Sequence, residues 1–237
     1  MMNKKIIIAI IAIVILAIFA YGIYYVNDYY HADKDVENYL SGTDDVKVIQ
    51  TSNGLLLDGP GNDTALIFYP GAKIEYTAYA PMFKDLSEKG IDCYLVEMPF
   101  NLALLGQNSA DEIIDSGNYS HYFISGHSLG GAMAASYVNS TNKTDGLILF
   151  ASYSTCKIEK PVLSIYGSED KVLNKEKYLD SINFIEDNLT EIEIKGANHA
   201  QFAYYGNQSG DGVAKISASS QQKQSASAII EFIRDIV

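Results

Sequence analysis

The sequence predicts an α/β protein: a mostly parallel, doubly wound sheet with little or no cap, preceded by one transmembrane helix. Three observations carry this. From about residue 46 to the C-terminus, apolar runs of strand length alternate with segments of helical length, the pattern of parallel strands joined by right-handed crossovers with helices on both faces. Residues 6–26 form an uncharged stretch, every residue of it apolar, aromatic or small. Midway through the alternating region, the strand HYFIS runs into Gly126-His127-Ser128-Leu129-Gly130 and a series of small residues, a tight strand-to-helix turn.

The N-terminal stretch is long enough to cross a bilayer, which takes about 20 residues. Lys4 and Lys5 precede it and Asp28 follows, so the positive charge keeps the N-terminus in the cytoplasm and places the rest outside. Tyr21, Tyr24, Tyr25, Tyr29 and Tyr30 gather at the far end, where an interfacial aromatic belt sits. A cleaved signal peptide, giving a secreted protein, is the alternative. An apolar core longer than about 15 residues and the lack of an A-x-A site near Ala20 favour an uncleaved anchor. The expected plan is an anchor at 1–27, a juxtamembrane spacer at 28–45 with a short helix ending near Ser41, and one catalytic domain at 46–237.

Within that domain, VKVIQ and LLLDG flank a Ser-Asn-Gly turn and read as a hairpin. ALIFYPG is a continuous apolar run closed by Pro-Gly, as in a central strand buried on both faces. A helix over 76–89, the strand IDCYLVEM, a helix over 110–116 and the strand HYFISG follow. After the turn come a helix over 129–139, the strands GLILFAS and PVLSIYG, a helix over 175–188, the strand EIEIKG and a final helix over 219–236. Residues 201–224, rich in Ser, Gln, Gly and Tyr, read as a loop.

Composition narrows the function classes. With 48% apolar and 19% charged residues the chain is a folded protein rather than a disordered one. Its net charge is −12, and −14 from Asp28 onward once Lys4 and Lys5 are set aside, a surface that repels nucleic acid. Cys93 lies in an apolar run and Cys156 in a polar connection, so both are expected as free thiols. The four histidines lack metal-ligand spacing and no Cys/His cluster exists, so no metal and no cofactor are implied.

The turn at Ser128 has a chemical reading. A G-x-S-x-G sequence between strand and helix projects the serine hydroxyl, requires glycines where a side chain would clash, and sets the helix N-terminus beside the reacting atom. A serine hydroxyl needs a base, which in turn needs an orienting group, and the chain order for this motif is Ser, acid, His. Only His199 follows Ser128. The strand PVLSIYG ends in Gly167-Ser168-Glu169-Asp170, and Asp170 is preferred over Glu169 because a short carboxylate three residues past the glycine fits the reach to an imidazole. The amides of Leu129 and of Ala72, after Pro70-Gly71, are the candidate oxyanion hole. Lys73, Glu97 and Asn101 border the same rim as possible substrate contacts, with Glu75 beside Lys73 as an alternative solvated partner.

Tyr69-Pro70-Gly71-Ala72, the elbow Gly126 to Gly130, Gly167 to Asp170 and Asn198-His199 together resemble the α/β-hydrolase superfamily, closest to its small single-domain bacterial esterase and dienelactone-hydrolase-like members. The likeness covers about four-fifths of the chain and implies an eight-stranded sheet cut slightly short. It departs in carrying Pro-Gly where many relatives have His-Gly, and Ser where dienelactone hydrolases have Cys. Only about ten residues, Ser152 to Pro161, stand where many relatives insert a cap, so the site is expected to be open, with 201–224 as its partial cover.

The resemblance implies a serine esterase that cleaves a small-molecule or lipid-like acyl substrate through an acyl-enzyme. An envelope peptidase or acyltransferase using the same residues is the rival within enzymes, and a non-catalytic membrane-tethered binding module the rival outside them. Nothing in the sequence fixes the acyl group or the oligomeric state.

Overall fold

The computed structural model describes residues 4–237 apart from 62, 118, 186 and 187. Strands β1 (Lys47–Thr51), β2 (Gly54–Asp58), β3 (Thr64–Tyr69), β4 (Asp92–Val96), β5 (His121–His127), β6 (Gly146–Phe150), β7 (Val162–Gly167) and β8 (Leu189–Ile194) make one sheet in the order β1-β2-β4-β3-β5-β6-β7-β8. The expected hairpin pairs Lys47 with Asp58 and Thr51 with Gly54, and β2 joins β4 antiparallel. From β4 onward every pairing is parallel.

Helix α1 (Lys4–Asn27) precedes the sheet and has no buried residue. Its first three expected residues, 1–3, lie outside those described. Helices α2 (Ala80–Ser87), α3 (Ala110–Ser116), α4 (Leu129–Ser140), α5 (Lys175–Ile182) and α6 (Ala218–Arg234) complete the domain. Strand β3 shows why the core has two halves. All six of its residues are buried, with Leu66 and Phe68 packing towards Phe83, Ile229 and Phe232 of α2 and α6. Ala65, Ile67 and Tyr69 pack on the opposite face, with Ile113 of α3 and Ala134, Ala135 and Tyr137 of α4. Each large apolar side chain so buried stabilises the fold by roughly 1.5–3 kcal/mol.

Two expectations change. The helix expected over 175–188 stops at Ile182; residues 186 and 187 of that stretch are outside the described set. The short helix expected in 28–45 is a 3-10 turn at Lys34–Tyr39, and the segment packs on the domain: Val36 is buried and Ser41 O accepts from the Lys84 ammonium at 2.9 Å. The stretch 201–224 is not all loop, because α6 begins at Ala218 with Ser217 as N-cap, its side chain accepting from the Ser220 N–H. Gln221, Gln222 and Ser225 are buried there, polar residues on the inner face of the helix expected over 219–236.

Candidate active site

Three β-strand ends and the turns after them meet at one rim of the sheet, where ligands gather in open α/β folds. Strand β5 delivers Ser128 at φ 53°, ψ −122°, a left-handed conformation that L side chains seldom adopt and that costs about 1–3 kcal/mol. Packing enforces it. A Cβ at Gly130 would stand 2.2 Å from Tyr69 O, and one at Gly126 would stand 2.5 Å from Gly130 C, so β5, α4 and the end of β3 approach only with glycine at both places. The Ser128 carbonyl accepts from Ser152 Oγ at 2.6 Å, which ties the elbow to the turn after β6.

Past β7, Asp170 rather than Glu169 meets the imidazole: His199 Nδ1 and Asp170 Oδ2 are 2.9 Å apart, with both side chains almost fully buried. The other oxygen, Oδ1, accepts from the Val172 and Leu173 amides at 2.8 Å each, fixing the carboxylate plane. Glu169 turns away to Lys215 at 2.8 Å, and that ammonium holds its carboxyl below the usual range. His199 Nε2 is buried and has no hydrogen-bond partner among the described residues. It lines a cavity of about 240 Å³ together with Ser128, Leu129, Ala132, Ala151 and Ser152.

The turn that carries His199 is pinned from α6. Gln221 accepts from the Asn198 N–H at 3.1 Å and donates to the Asn198 carbonyl at 2.8 Å, a two-point grip on the residue before the histidine. The Asn198 side chain donates to Gly212 O at 2.8 Å, and Asp211 accepts from the Ala200 N–H at 2.9 Å.

Of the remaining candidates, Leu129 lines the cavity at the start of α4. Ala72 is half-buried in the turn after β3, and its amide donates to no acceptor among the described residues. Lys73 points to the N-terminal helix, with its ammonium 2.9 Å from Asp28. Its expected neighbour Glu75 instead accepts from Thr77 Oγ1 and the Ala32 N–H. Glu97 is exposed, with its amide bonded to Asn53 O at 2.8 Å, and Asn101 offers its carbonyl to the Lys73 N–H at 2.8 Å. None of these three lines the cavity. Nor do residues 201–224; the walls come from Tyr153 after β6 and from Val172, Leu173 and Asn174 after β7.

Sequence reading passed over the middle of the motif. His127 is fully buried, with its ring 4.5 Å from that of His199, and its Nδ1 is 2.8 Å from the Tyr79 hydroxyl. Burial, and then the charge of His199, hold His127 well below the usual imidazole value of 6.5.

Comparison with known proteins bears on the fold and the family. Among curated proteins none matches the sequence. Solved structures do match at the level of fold. Alpha/beta hydrolase domain-containing protein 10 from mouse superimposes with a TM-score of 0.58 at 13% identity, over 81% of this chain and 99% of that one. A predicted CIB-like hydrolase from Thermoplasma acidophilum gives 0.57 at 14% identity, over 80% and 97%. Est1E from Butyrivibrio proteoclasticus gives 0.55 at 12%, over 80% and 99%. The model of the alpha/beta hydrolase family matches residues 65–223, from strand β3 to the helix that grips Asn198, and the chain therefore belongs to the alpha/beta hydrolase family.

Proposed function

We propose that the chain is a serine hydrolase that cleaves a carboxylic ester, or a related acyl bond, through Ser128, His199 and Asp170. The observation that carries this is the buried His199 ring. Its Nδ1 is engaged by Asp170, while its Nε2 is left unpartnered in the cavity that Ser128 also lines. A buried polar nitrogen without a partner is costly, and a proton acceptor facing a nucleophile is the use that explains the cost.

In the proposed reaction Ser128 Oγ attacks the carbonyl carbon while His199 Nε2 takes the hydroxyl proton. Asp170 holds the Nδ1–H tautomer and stabilises the imidazolium. The amides of Ala72 and Leu129 receive the oxyanion, each such donor being worth about 2.7–4 kcal/mol in the transition state. The imidazolium returns its proton to the leaving alcohol, and water, activated by the same imidazole, releases the acid and frees Ser128. We read α1 as an uncleaved single-pass anchor through residues 6–26, with Lys4 and Lys5 on the cytoplasmic side and the domain on the other.

The test is hydrolysis of short-chain p-nitrophenyl esters by wild type and Ser128→Ala, with fluorophosphonate labelling of both. Activity and labelling present in wild type and absent in the variant are expected. A folded wild type that neither turns over nor labels would return the chain to the class of membrane-tethered binding modules.

A further inference from the structure

The end of α1 is stitched to the oxyanion turn. The Lys73 ammonium lies 2.9 Å from Asp28 and 4.4 Å from the centre of the Tyr25 ring. The Tyr30 N–H donates to Lys73 O at 2.7 Å and the Glu75 N–H donates to Tyr30 O at 2.9 Å, so Tyr30, three residues beyond the helix, pairs with the turn as a parallel bridge to Ile74. On its far side the same turn is tied to the connection after β4, where the Lys73 N–H donates to Asn101 O and the 3-10 turn Pro99–Asn101 touches α1. That connection carries three large exposed apolar side chains: Phe100 at 60%, Leu104 at 62% and Leu105 at 55%. Phe100 and Asn101 both sit at φ 55°, a strained backbone at the start of that connection.

We propose that this apolar rim rests in the bilayer leaflet beside the domain, and that the cavity at Ser128 takes its substrate from that leaflet: an ester with a long acyl chain dissolved in the membrane. The inference builds on the hydrolase and anchor readings above. Continuity with α1 selects the bilayer as occupant, because the rim begins at the turn that the helix touches as it leaves its apolar stretch. An exposed apolar patch next to a membrane helix finds its partner in the same membrane. The size of the cavity bears on the substrate: at about 240 Å³ it is smaller than the roughly 300–1,000 Å³ that encloses a drug-sized ligand, so a long chain attached to a carbonyl at Ser128 extends beyond the cavity. The net charge of −14 from Asp28 onward gives the domain no electrostatic pull towards anionic lipid, which leaves apolar insertion as the attraction.

The chain contains no tryptophan, so a single introduced indole reports only on its own position. Full-length Leu104→Trp, Ile15→Trp in α1 and Leu179→Trp on α5, beside β7 and β8 at the opposite edge of the sheet from β4, are reconstituted separately in phosphatidylcholine vesicles with and without brominated lipid. Quenching at 15 and 104 but not at 179 is expected. Quenching at 15 alone overturns the membrane-facing rim and leaves the anchor standing; no quenching at 15 removes the anchor reading with it.

A second measurement addresses the substrate. Leu104→Asp with Leu105→Asp is expected to slow hydrolysis of p-nitrophenyl palmitate held in vesicles at least tenfold. Hydrolysis of soluble p-nitrophenyl acetate, and fluorophosphonate labelling of Ser128, stay within twofold. Equal losses on both esters, or none, overturn the leaflet-substrate inference, whereas a wild type that does not label overturns the hydrolase reading and leaves the rim to be decided by the quenching.

Discussion

The Tyr79 hydroxyl stands 2.8 Å from His127 Nδ1 and also accepts the Gly71 N–H at 3.1 Å. Burial pushes the phenol far above its ordinary value, so it keeps its proton at every pH at which the protein is folded. A single buried hydroxyl thus joins the turn preceding Ala72 to the residue preceding Ser128.

Removing that hydroxyl leaves a buried amide and a buried imidazole nitrogen unpartnered. Tyr79→Phe is expected to destabilise the fold by about 1–3 kcal/mol, seen as a lower denaturant midpoint with an unchanged slope. Because Gly71 adjoins the proposed oxyanion amide, kcat should fall more than KM rises.

Acid should unfold the protein through His127. Its folded value lies well below 6.5 while the unfolded chain titrates near 6.5, so between these the unfolded state binds the extra proton. Stability is therefore full above pH 6.5 and falls as pH drops through that window, by up to about 1.4 kcal/mol per pH unit. Urea titrations at several pH values would show the slope, and His127→Gln should flatten it; an unchanged slope in the variant would falsify the assignment.

Asp170 and Glu169 separate cleanly. Asp170→Asn keeps the shape but offers His199 the wrong tautomer partner, and a loss of kcat on the order of 10³–10⁴ is expected. Glu169→Gln removes only a surface contact with Lys215 and should leave kcat within about twofold. Steady-state kinetics on one ester decide both.

Gln221→Leu removes both hydrogen bonds to the Asn198 backbone while keeping a buried side chain of similar size on the inner face of the helix. The expected result is a stable α6 with a loosened His199 turn. kcat should drop by about 10-fold to 100-fold from misplacement of the base, with fluorophosphonate labelling slowed in proportion.

Much of this was readable in the sequence, for physical reasons. Strands β3 to β7 are buried on both faces and so announce themselves as apolar runs, and the elbow is legible because the close approach of β5, α4 and the end of β3 leaves room only for glycine on either side of Ser128. Asp170 and His199 could be found because each follows directly on a strand end. Interactions between segments far apart in sequence left no local mark. Gln221 sits 23 residues from the backbone it grips. Lys73 reaches Asp28 across 45 positions. Val36 is apolar in a charged stretch, and only the surface it docks on explains its burial. The cavity walls at Tyr153 and Leu173 likewise come from two loops that no periodicity links.

The grip of α6 on Asn198 sets an order of events during synthesis. Ser128 and Asp170 emerge from the ribosome well before Gln221, and until α6 docks, the turn carrying His199 lacks its two-point anchor. In the proposed hydrolase the base therefore gains its fixed position last, when the final helix docks on the sheet.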